Sequence, residues 1–454
     1  MASKKTLVQG LAEHAQKISY EKLSPEAINM LKGCILDTLG GIYAAWKTGE
    51  LQNMMDTIES FAGSEEATFW MTGKKLPAHM TALGLACLDN FLEYSGSTSS
   101  VITSITMGDV YNRSGKDVLA GMCVADDIQE AVCMLFASEY EAHRLHWPAQ
   151  TTCYSTAATA SFMAGAGTEE TERALSIAGC LSPIAPFEAF IQGAQSKVFY
   201  GGWPLMVGIL AKRFAERGCS GPINLFEGTR GLGVCWYHHM LSEDRYQELI
   251  PTEVGYSLEG GHKYYASNLC AQPTLNCLQQ MMEAHPEIKA ENIESVDVLT
   301  YEYALALSQP SPAKTRISAH VNIPFLVAAM LTDGRVTQEQ TDPSHLADEK
   351  LRALAEKVTL GLYSGADTDL KSRKARPSRV TVKLKNGKEF THEVMGTRWT
   401  ASEPPTNEEI EAKFRYMVGE QIPETKLNKI IDMIWHIEEL PSIRNLIALM
   451  PVRS

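Results

Sequence analysis

The stretch Leu23–Trp46, LSPEAINMLKGCILDTLGGIYAAW, decides the fold class of this chain. Ser24 suits the cap of a helix and Pro25 its first position, and apolar residues then recur at steps of three and four. This spacing places the apolar side chains on one face of a helix, which has to be buried against other helices. The stretch therefore predicts a helix inside a multihelical domain.

The same pattern recurs along the first 260 residues. TEETERALSIAGC, residues 168–180, predicts a helix that Thr168 caps. GGWPLMVGILAKRFAERG, residues 201–218, predicts another, which Gly218 ends. The alternation that is typical of strands is missing from this part of the sequence, so we expect it to be helical throughout.

The pattern changes after about residue 265. IESVDVLTYEYAL, residues 293–305, and SRVTVKLKNGKEFTHEV, residues 378–394, alternate like strands, and Asn386-Gly387 in the second is a strong hairpin signal. Helical spacing returns after about residue 400. We therefore predict a mainly α protein, with a large multihelical domain built from residues 1–265 and 400–454 and a smaller inserted α+β domain at 266–399.

Composition excludes several classes of function. The chain has 454 residues and a net charge of -13, and phosphate binding needs basic patches, so nucleic acid is excluded as a partner. No run approaches about 18 apolar residues and no signal peptide is present, which predicts no membrane span and a cytoplasmic protein. The ten cysteines form no C-x-x-C pair and are expected to be buried free thiols.

Several stretches together resemble the MmgE/PrpD family, which includes 2-methylcitrate dehydratase, cis-aconitate decarboxylase and iminodisuccinate epimerase. They occur in the family's order and are spread over nearly the whole chain. The similar stretches are ILDTLGGIYAA, SGKDVLAG, STAATASFMAGAG, SKVFYGGWPLMVGILAKRFAERGCSGP, ISAHVNIPFLVAAMLTDGRVT, and VTVKLKNGKEF followed by EEIEAKF.

The resemblance implies more than a fold. Members of the MmgE/PrpD family have a large helical domain and a smaller α+β domain, with the active site in the cleft between them, and they are usually homodimers. Their reactions need no metal and no organic cofactor. They act on small carboxylates by moving a proton next to a carboxylate or by losing the carboxylate.

This sequence departs from the family pattern at NFLEYSGS. Relatives carry H-A-L-D-x-D-D-T here. In this chain Asn90 stands in place of the histidine and Glu93 in place of the first aspartate. Ser95 and Gly96 replace the next two aspartates, and Ser97 replaces the threonine. Asparagine and serine form hydrogen bonds but exchange no proton at neutral pH. Glu93 alone keeps a carboxylate.

Two later family motifs are also altered. H-P-T-G/A-T reads W-P-A-Q-T-T, with Trp147 in the histidine's place and His146 beside it. K-x-x-P-x-C-x-x-x-H keeps Lys263, while Gln272 replaces the histidine. Lys197, at the head of SKVFYGG, matches the family. The resemblance thus implies a cleft that has lost its imidazoles and is more apolar and aromatic than those of relatives.

We predict four catalytic residues. Lys197 would bind a carboxylate, or would act as an acid once burial lowers its pKa; the alternative is a solvated lysine without a role in catalysis. Tyr200 follows three residues later and would lie on the same helical face, where it would either donate to an oxyanion or only pack as an aromatic ring. Glu93 would be a base with a raised pKa, or would only pair with a neighbour. His146 would replace the lost histidine. The predicted substrate-binding residues are Asn90, Ser95, Ser97, Trp147, Lys263, Tyr264 and Gln272.

Three functions stay open at this point. The first is a cofactor-free lyase or isomerase, repurposed for a more apolar carboxylic or carbonyl-bearing substrate in specialised metabolism. The second is a cyclase of the Diels–Alder type in a terpenoid or polyketide pathway, which would act by orienting its substrate. The third is a catalytically silent relative with a binding or structural role.

Overall fold

The computed structural model describes residues 5–61, 63–136, 145–256, 261–308, 312–364, 376–400 and 403–452, without the side chains of Phe136, Trp147 and Tyr237. Helices dominate the first 250 residues, as predicted. In chain order they are Leu7–Lys17 (α1), Pro25–Thr48 (α2), Gln52–Ser60 (α3), Ala78–Phe91 (α4), Thr98–Tyr111 (α5), Gly115–Phe136 (α6), Trp147–Ala164 (α7), Thr168–Cys180 (α8), Glu188–Ile191 (α9), Phe199–Glu216 (α10), Leu232–Tyr237 (α11) and Glu243–Glu248 (α12). A short antiparallel pair, Ala67–Thr68 (β1) and Lys75–Leu76 (β2), was not predicted.

Helix ends follow the sequence signals closely. The Ser24 side chain accepts the backbone N–H of Ala27, as predicted for the cap of α2. Gly218 adopts a φ of 84° just beyond the end of α10, which confirms its role as a stop. The prediction for α8 is wrong by one residue. Gly167 is the cap and Thr168 is already helical, since glycine is also accepted at that position.

The middle of the chain builds a four-stranded sheet. Its strands are Ile293–Thr300 (β3), Val358–Leu362 (β4), Ser378–Leu384 (β5) and Glu389–Val394 (β6). They lie in the order β4-β3-β5-β6, with β3 and β4 parallel and the other pairs antiparallel. Gly387, at a φ of 84°, makes the predicted hairpin between β5 and β6. The helices of this part are Gln272–Ala284 (α13), Glu302–Leu307 (α14), Arg316–Ala319 (α15), Ile323–Asp333 (α16), Pro343–Ala347 (α17) and Glu349–Ala355 (α18).

The last helices return to the first half of the molecule. They are Asn407–Val418 (α19), Glu424–Trp435 (α20) and Arg444–Ile447 (α21). Thr406 and Glu409, at the spacing typical of a capping box, form one at the start of α19, which packs along α2. The mainly α fold with a small α+β part is thus confirmed, while the division at residues 265 and 400 stays a prediction. In the ranges described above, no helix combines the length and the apolar character that crossing a membrane requires.

Two glycines bring α10 unusually close to α4. A Cβ at Gly201 would lie 2.9 Å from the Cβ of Asn90, and one at Gly202 would lie 2.6 Å from the carbonyl oxygen of Leu83. Side chains at these positions would therefore force the two helices apart. Their contact places Lys197, just before α10, beside the end of α4.

Candidate active site

A buried carboxylate shared by two lysines forms the centre of the candidate site. Glu93 is 6% exposed and Lys197 is 1% exposed. The Lys197 ammonium donates to Oε1 of Glu93 and, at 2.7 Å, to the carbonyl oxygen of Asn90. The Lys263 ammonium donates to the other oxygen, Oε2, at 2.6 Å. The structure thus brings three of the predicted residues, all distant in sequence, into direct contact.

The loop after α4 needs small residues because another segment of backbone passes against it. A Cβ at Gly96 would lie 1.5 Å from the carbonyl oxygen of Gly261. Only glycine allows this approach, which sets Lys263 beside Glu93. Glu93 itself has a φ of 51°, in the left-handed region that residues other than glycine rarely adopt. The loop is therefore shaped to turn this carboxylate inward.

Glu93 is held in its ionised form. Burial opposes the charge, but the ammonium groups of Lys197 and Lys263 outweigh it and hold the pKa of the Glu93 carboxyl well below its ordinary value. The prediction of a base with a raised pKa is wrong, because two cations and not an apolar wall surround the group. Burial lowers the pKa of Lys197 against the opposing pull of Glu93, as predicted.

A second carboxyl that sequence reasoning missed lies close by. Asp89 is 1% exposed, and its two oxygens accept hydrogen bonds from the hydroxyls of Ser95, at 2.6 Å, and Thr98. Burial raises the pKa of Asp89 to about 7, although both hydroxyls favour the ionised form. Ser95 therefore serves this carboxyl, which weakens its predicted role as a substrate contact. Ser97 packs against Gly261: a Cβ added at Gly261 would lie 2.1 Å from the hydroxyl oxygen of Ser97.

His146 lies beside the lysines as a neutral imidazole. It caps α7, and its Nδ1 accepts the backbone N–H of Ala149 at 3.3 Å, which leaves the proton on Nε2. Burial and the nearby charge of Lys197 lower the pKa of His146 to about 3. Its ring centroid is 5.3 Å from that of Tyr200 and 5.5 Å from that of Phe187.

His320, which the sequence analysis did not single out, also flanks the site. It is fully buried, and neither ring nitrogen has a hydrogen-bond partner among the described residues. Burial, reinforced by Lys197 and Arg316, holds the pKa of His320 well below its ordinary value, against the opposing effect of Glu93. The expectation of a site without imidazoles is therefore wrong. The available signal was a single histidine inside the apolar stretch ISAHVNIPF.

Tyr200 follows Lys197 in one continuous helical segment. Lys197 belongs to the 3₁₀ turn Gln195–Val198, which runs directly into α10 at Phe199, and residues three apart in such a turn lie on one face, as the spacing predicts. The Tyr200 hydroxyl donates to the carbonyl oxygen of Pro186. This leaves the oxyanion role without support and makes the packing alternative the better account.

Gln272 and Tyr264 lie at the junction but are engaged elsewhere. The Gln272 amide nitrogen donates to the carbonyl oxygen of Tyr265 at 2.7 Å and to the Ser267 hydroxyl at 2.8 Å, while its oxygen accepts the Tyr265 N–H. It therefore fixes a loop. The Tyr264 ring packs 4.9 Å from that of Trp399.

Asn90 and Trp147 complete the set of predicted residues. The side-chain oxygen of Asn90 is buried and has no partner among the described residues, so it remains available to a ligand. The Trp147 side chain lies outside those described. The roles of all these residues in binding and catalysis stay predictions.

Lys413 of α19 fixes both halves of the site. Its ammonium donates to the carbonyl oxygens of Tyr94, at 2.6 Å, and Lys263, at 2.7 Å, and pairs with Asp37 at 2.6 Å. Tyr94 follows Glu93 directly, so one side chain holds the backbone on both sides of the Glu93–Lys263 contact. Sequence reasoning missed this residue because its partners lie in three separate segments.

The described residues contain no group of three or more His, Cys, Asp and Glu side chains placed to hold a metal ion.

The fold and this site define a mainly helical protein with a buried glutamate shared by two lysines. The chain belongs to the MmgE/PrpD family, and this membership supports a dehydratase- or decarboxylase-like, lyase-type scaffold. The model of the MmgE/PrpD N-terminal domain matches residues 9–247 and that of the C-terminal domain matches residues 265–439. The chain is also similar to the cis-aconitate decarboxylase of Homo sapiens, with 21% identity over 472 residues that cover 98% of this chain and 95% of that protein.

The neutral state of His320 predicts a pH dependence of stability. The unfolded chain binds a proton near the ordinary histidine pKa of about 6.5 and the folded protein does not, so stability is present above that pH and is lost on acidification. Below pH 6, His320 should lower the free energy of unfolding by an amount that approaches about 1.4 kcal/mol for each pH unit. Urea unfolding between pH 5 and 8 measures it.

The matched variants are His320→Asn and His436→Asn. His436 is exposed, and its hydrogen bond to the backbone of Asp432 raises its pKa, so its replacement should make stability rise slightly more steeply with pH, whereas His320→Asn should flatten the slope. An equal slope in both variants would show that His320 is protonated in the folded protein.

Proposed function

We propose that this protein is a lyase that acts on a carboxylate-bearing small molecule and handles the proton with its own histidines. The observation that carries the proposal is the charge of the site. Glu93 balances only one of the two ammonium groups, Lys197 and Lys263, and Asp89 nearby, with a pKa of about 7, is only partly ionised at neutral pH. An incompletely compensated positive charge away from water is costly, so the site favours an anionic ligand.

The two lysines differ in access, which assigns them different tasks. The side chain of Lys263 is 14% exposed and that of Lys197 is 1% exposed. Lys263 is therefore the group that meets the substrate carboxylate, while Lys197 fixes Glu93 from within. As negative charge grows on the substrate carboxylate when the adjacent proton leaves, the Lys263 ammonium stabilises it.

His320 is the group we assign to proton transfer. A neutral imidazole can accept a proton from the carbon next to the carboxylate, and neither of its nitrogens has a hydrogen-bond partner within the described parts of the chain. A bound anion would add negative charge beside the ring and so favour its protonated form, which raises its basicity only when substrate is present.

Aromatic rings next to these charges support a substrate with an apolar part. The Phe187 ring lies 5.6 Å from that of Tyr303 and 5.5 Å from that of His146. The Lys197 ammonium lies 4.5 Å from the centre of the Phe190 ring. Such aromatic rings pack against an alkyl or aryl group of a substrate better than against a further carboxylate.

The test is solvent proton exchange. The protein is incubated in D₂O with cis-aconitate, 2-methylcitrate and dicarboxylates that carry alkyl or aryl substituents, and deuterium incorporation and product formation are followed by NMR. We expect at least one acid to exchange or react, and the substituted acids to be preferred. His320→Asn should slow the reaction about a hundredfold, and His436→Asn should not.

Two results would favour the other functions. Conversion of a polyene precursor without deuterium incorporation, and with full activity in His320→Asn, would favour the orienting cyclase. Absence of binding and turnover with every acid would favour a silent relative. Either result would overturn the lyase assignment.

A further inference from the structure

A large cavity lies in the helical part of the molecule, next to the candidate active site but separate from it. Its volume is about 790 Å³, within the range of small-molecule sites. None of the catalytic or substrate-binding residues discussed above lines it. Its wall is formed by the start of α7, the end of α8 with the segment that follows it, and the loop that leads into α11.

Two polar groups on one face of α7 point to a ligand. Gln150 is 3% exposed and lines the cavity, yet its amide nitrogen has no hydrogen-bond partner among the described residues. Leaving a buried N–H without an acceptor costs free energy that a bound acceptor would recover. Tyr154, one helical turn further along, lines the same cavity. Both groups can donate hydrogen bonds.

The charge of the lining differs from that of the chain as a whole. Arg230 belongs to the lining, and none of the described residues that line the cavity is an aspartate or a glutamate, although the chain carries a net charge of -13. The remaining surface is largely apolar, with Ile184, Leu225 and Trp236 among the lining residues. An acceptor-rich head group and an apolar body match this combination.

We propose that this cavity is a second ligand site, for a mainly apolar molecule with an anionic head such as a carboxylate. Gln150 and Tyr154 donate to the head, Arg230 supplies the opposite charge, and the apolar residues enclose the body. The proposal does not depend on the lyase assignment.

The cavity shares a wall with the candidate active site. Leu145 lines the cavity and pairs through its backbone with Pro186, while the next residue, His146, lies beside Lys197. The Pro186 carbonyl also accepts the Tyr200 hydroxyl. A ligand in the cavity would therefore press on the segment that positions His146.

The experiment uses the full chain and two probes, the fluorescent sulfonate 1-anilinonaphthalene-8-sulfonate and octanoate as its competitor. We expect saturable binding with one probe molecule per chain and displacement by octanoate. Gln150→Leu should weaken binding about tenfold and raise the Tm of the free protein, because it removes the unpaired amide. Tyr154→Phe should weaken binding a fewfold.

The control is Lys263→Met, which alters the other site but leaves the buried Lys197–Glu93 pair intact, and it should leave probe binding unchanged. Probe binding that Gln150→Leu and Tyr154→Phe leave intact, or that Lys263→Met abolishes, would overturn the proposal, as would a lack of saturable binding. None of these readouts requires catalytic activity, so failure here and failure of the lyase assignment can be told apart.

Discussion

Replacing Glu93 by glutamine is expected to lower the free energy of unfolding by about 3–5 kcal/mol at pH 7. The amide cannot balance the two ammonium groups, and Lys197 is 1% exposed, so its charge cannot be rehydrated without opening the site. The carboxylate also accepts from Lys263 at 2.6 Å, and that contact is lost too. Urea unfolding of the two proteins measures the difference.

The control is a glutamate in an exposed pair. Glu294 accepts from Lys383 at 3.0 Å, and the two side chains are 48% and 43% exposed. Glu294→Gln should change stability by less than about 1 kcal/mol. Equal effects of the two replacements would mean that Glu93 is not an ionised group between two cations.

Replacing Lys413 by methionine is expected to cost about 3–5 kcal/mol as well. The change leaves Asp37, which is 2% exposed, without the cation at 2.6 Å. Burial opposes ionisation of Asp37, and Lys413, followed by His262, holds its pKa low, so removing the cation leaves the carboxyl with the cost of its burial largely uncompensated. The carbonyl oxygens of Tyr94 and Lys263 lose their donor at the same time.

Lys212→Met provides the comparison. Lys212 is also 1% exposed, but its partner Glu216, at 2.9 Å, has a side chain that is 40% exposed and can return to water. Its loss should cost about 1–2 kcal/mol. In the Lys413→Met protein, Lys263 should also react faster with an amine reagent, because the backbone of Lys263 is no longer held; peptide mass spectrometry measures this labelling. If Lys413→Met and Lys212→Met cost the same stability and the labelling of Lys263 does not change, the positioning role of Lys413 is contradicted.

Local features of the fold were readable from the sequence because each depends on neighbouring residues. The Ser24 cap, the Gly387 turn and the Thr406–Glu409 capping box all follow from side chains within a few positions of one another. The two-residue strands β1 and β2 were missed, since so short a pair has no alternation to detect.

The candidate site could be predicted only in part. The family resemblance singled out Glu93, Lys197 and Lys263, but their contact depends on the close approach that Gly96, Gly201 and Gly202 allow between separate segments. Sequence reasoning therefore placed Glu93 against an apolar wall and assigned it a raised pKa, with the wrong sign.

Residues whose roles depend on distant partners were the ones missed. Lys413 carried no local signal, and His320 carried only that of a single histidine in an apolar stretch, since a buried imidazole or ammonium is recognised only once the groups around it are known. Gln272 was expected to bind substrate because it replaces a family histidine; its amide holds the loop at Tyr265 and Ser267, and a contact with substrate stays a prediction.

The most direct test of the account is the titration of Glu93. The carboxyl carbon of Glu93, labelled with ¹³C and assigned by its absence in Glu93→Gln, is followed by NMR from pH 4 to pH 9. The account predicts the chemical shift of an ionised carboxylate over that whole range, because Lys197 and Lys263 hold the pKa below it. A titration step between pH 5 and pH 8 would contradict it, and would restore Glu93 as a base in an apolar site.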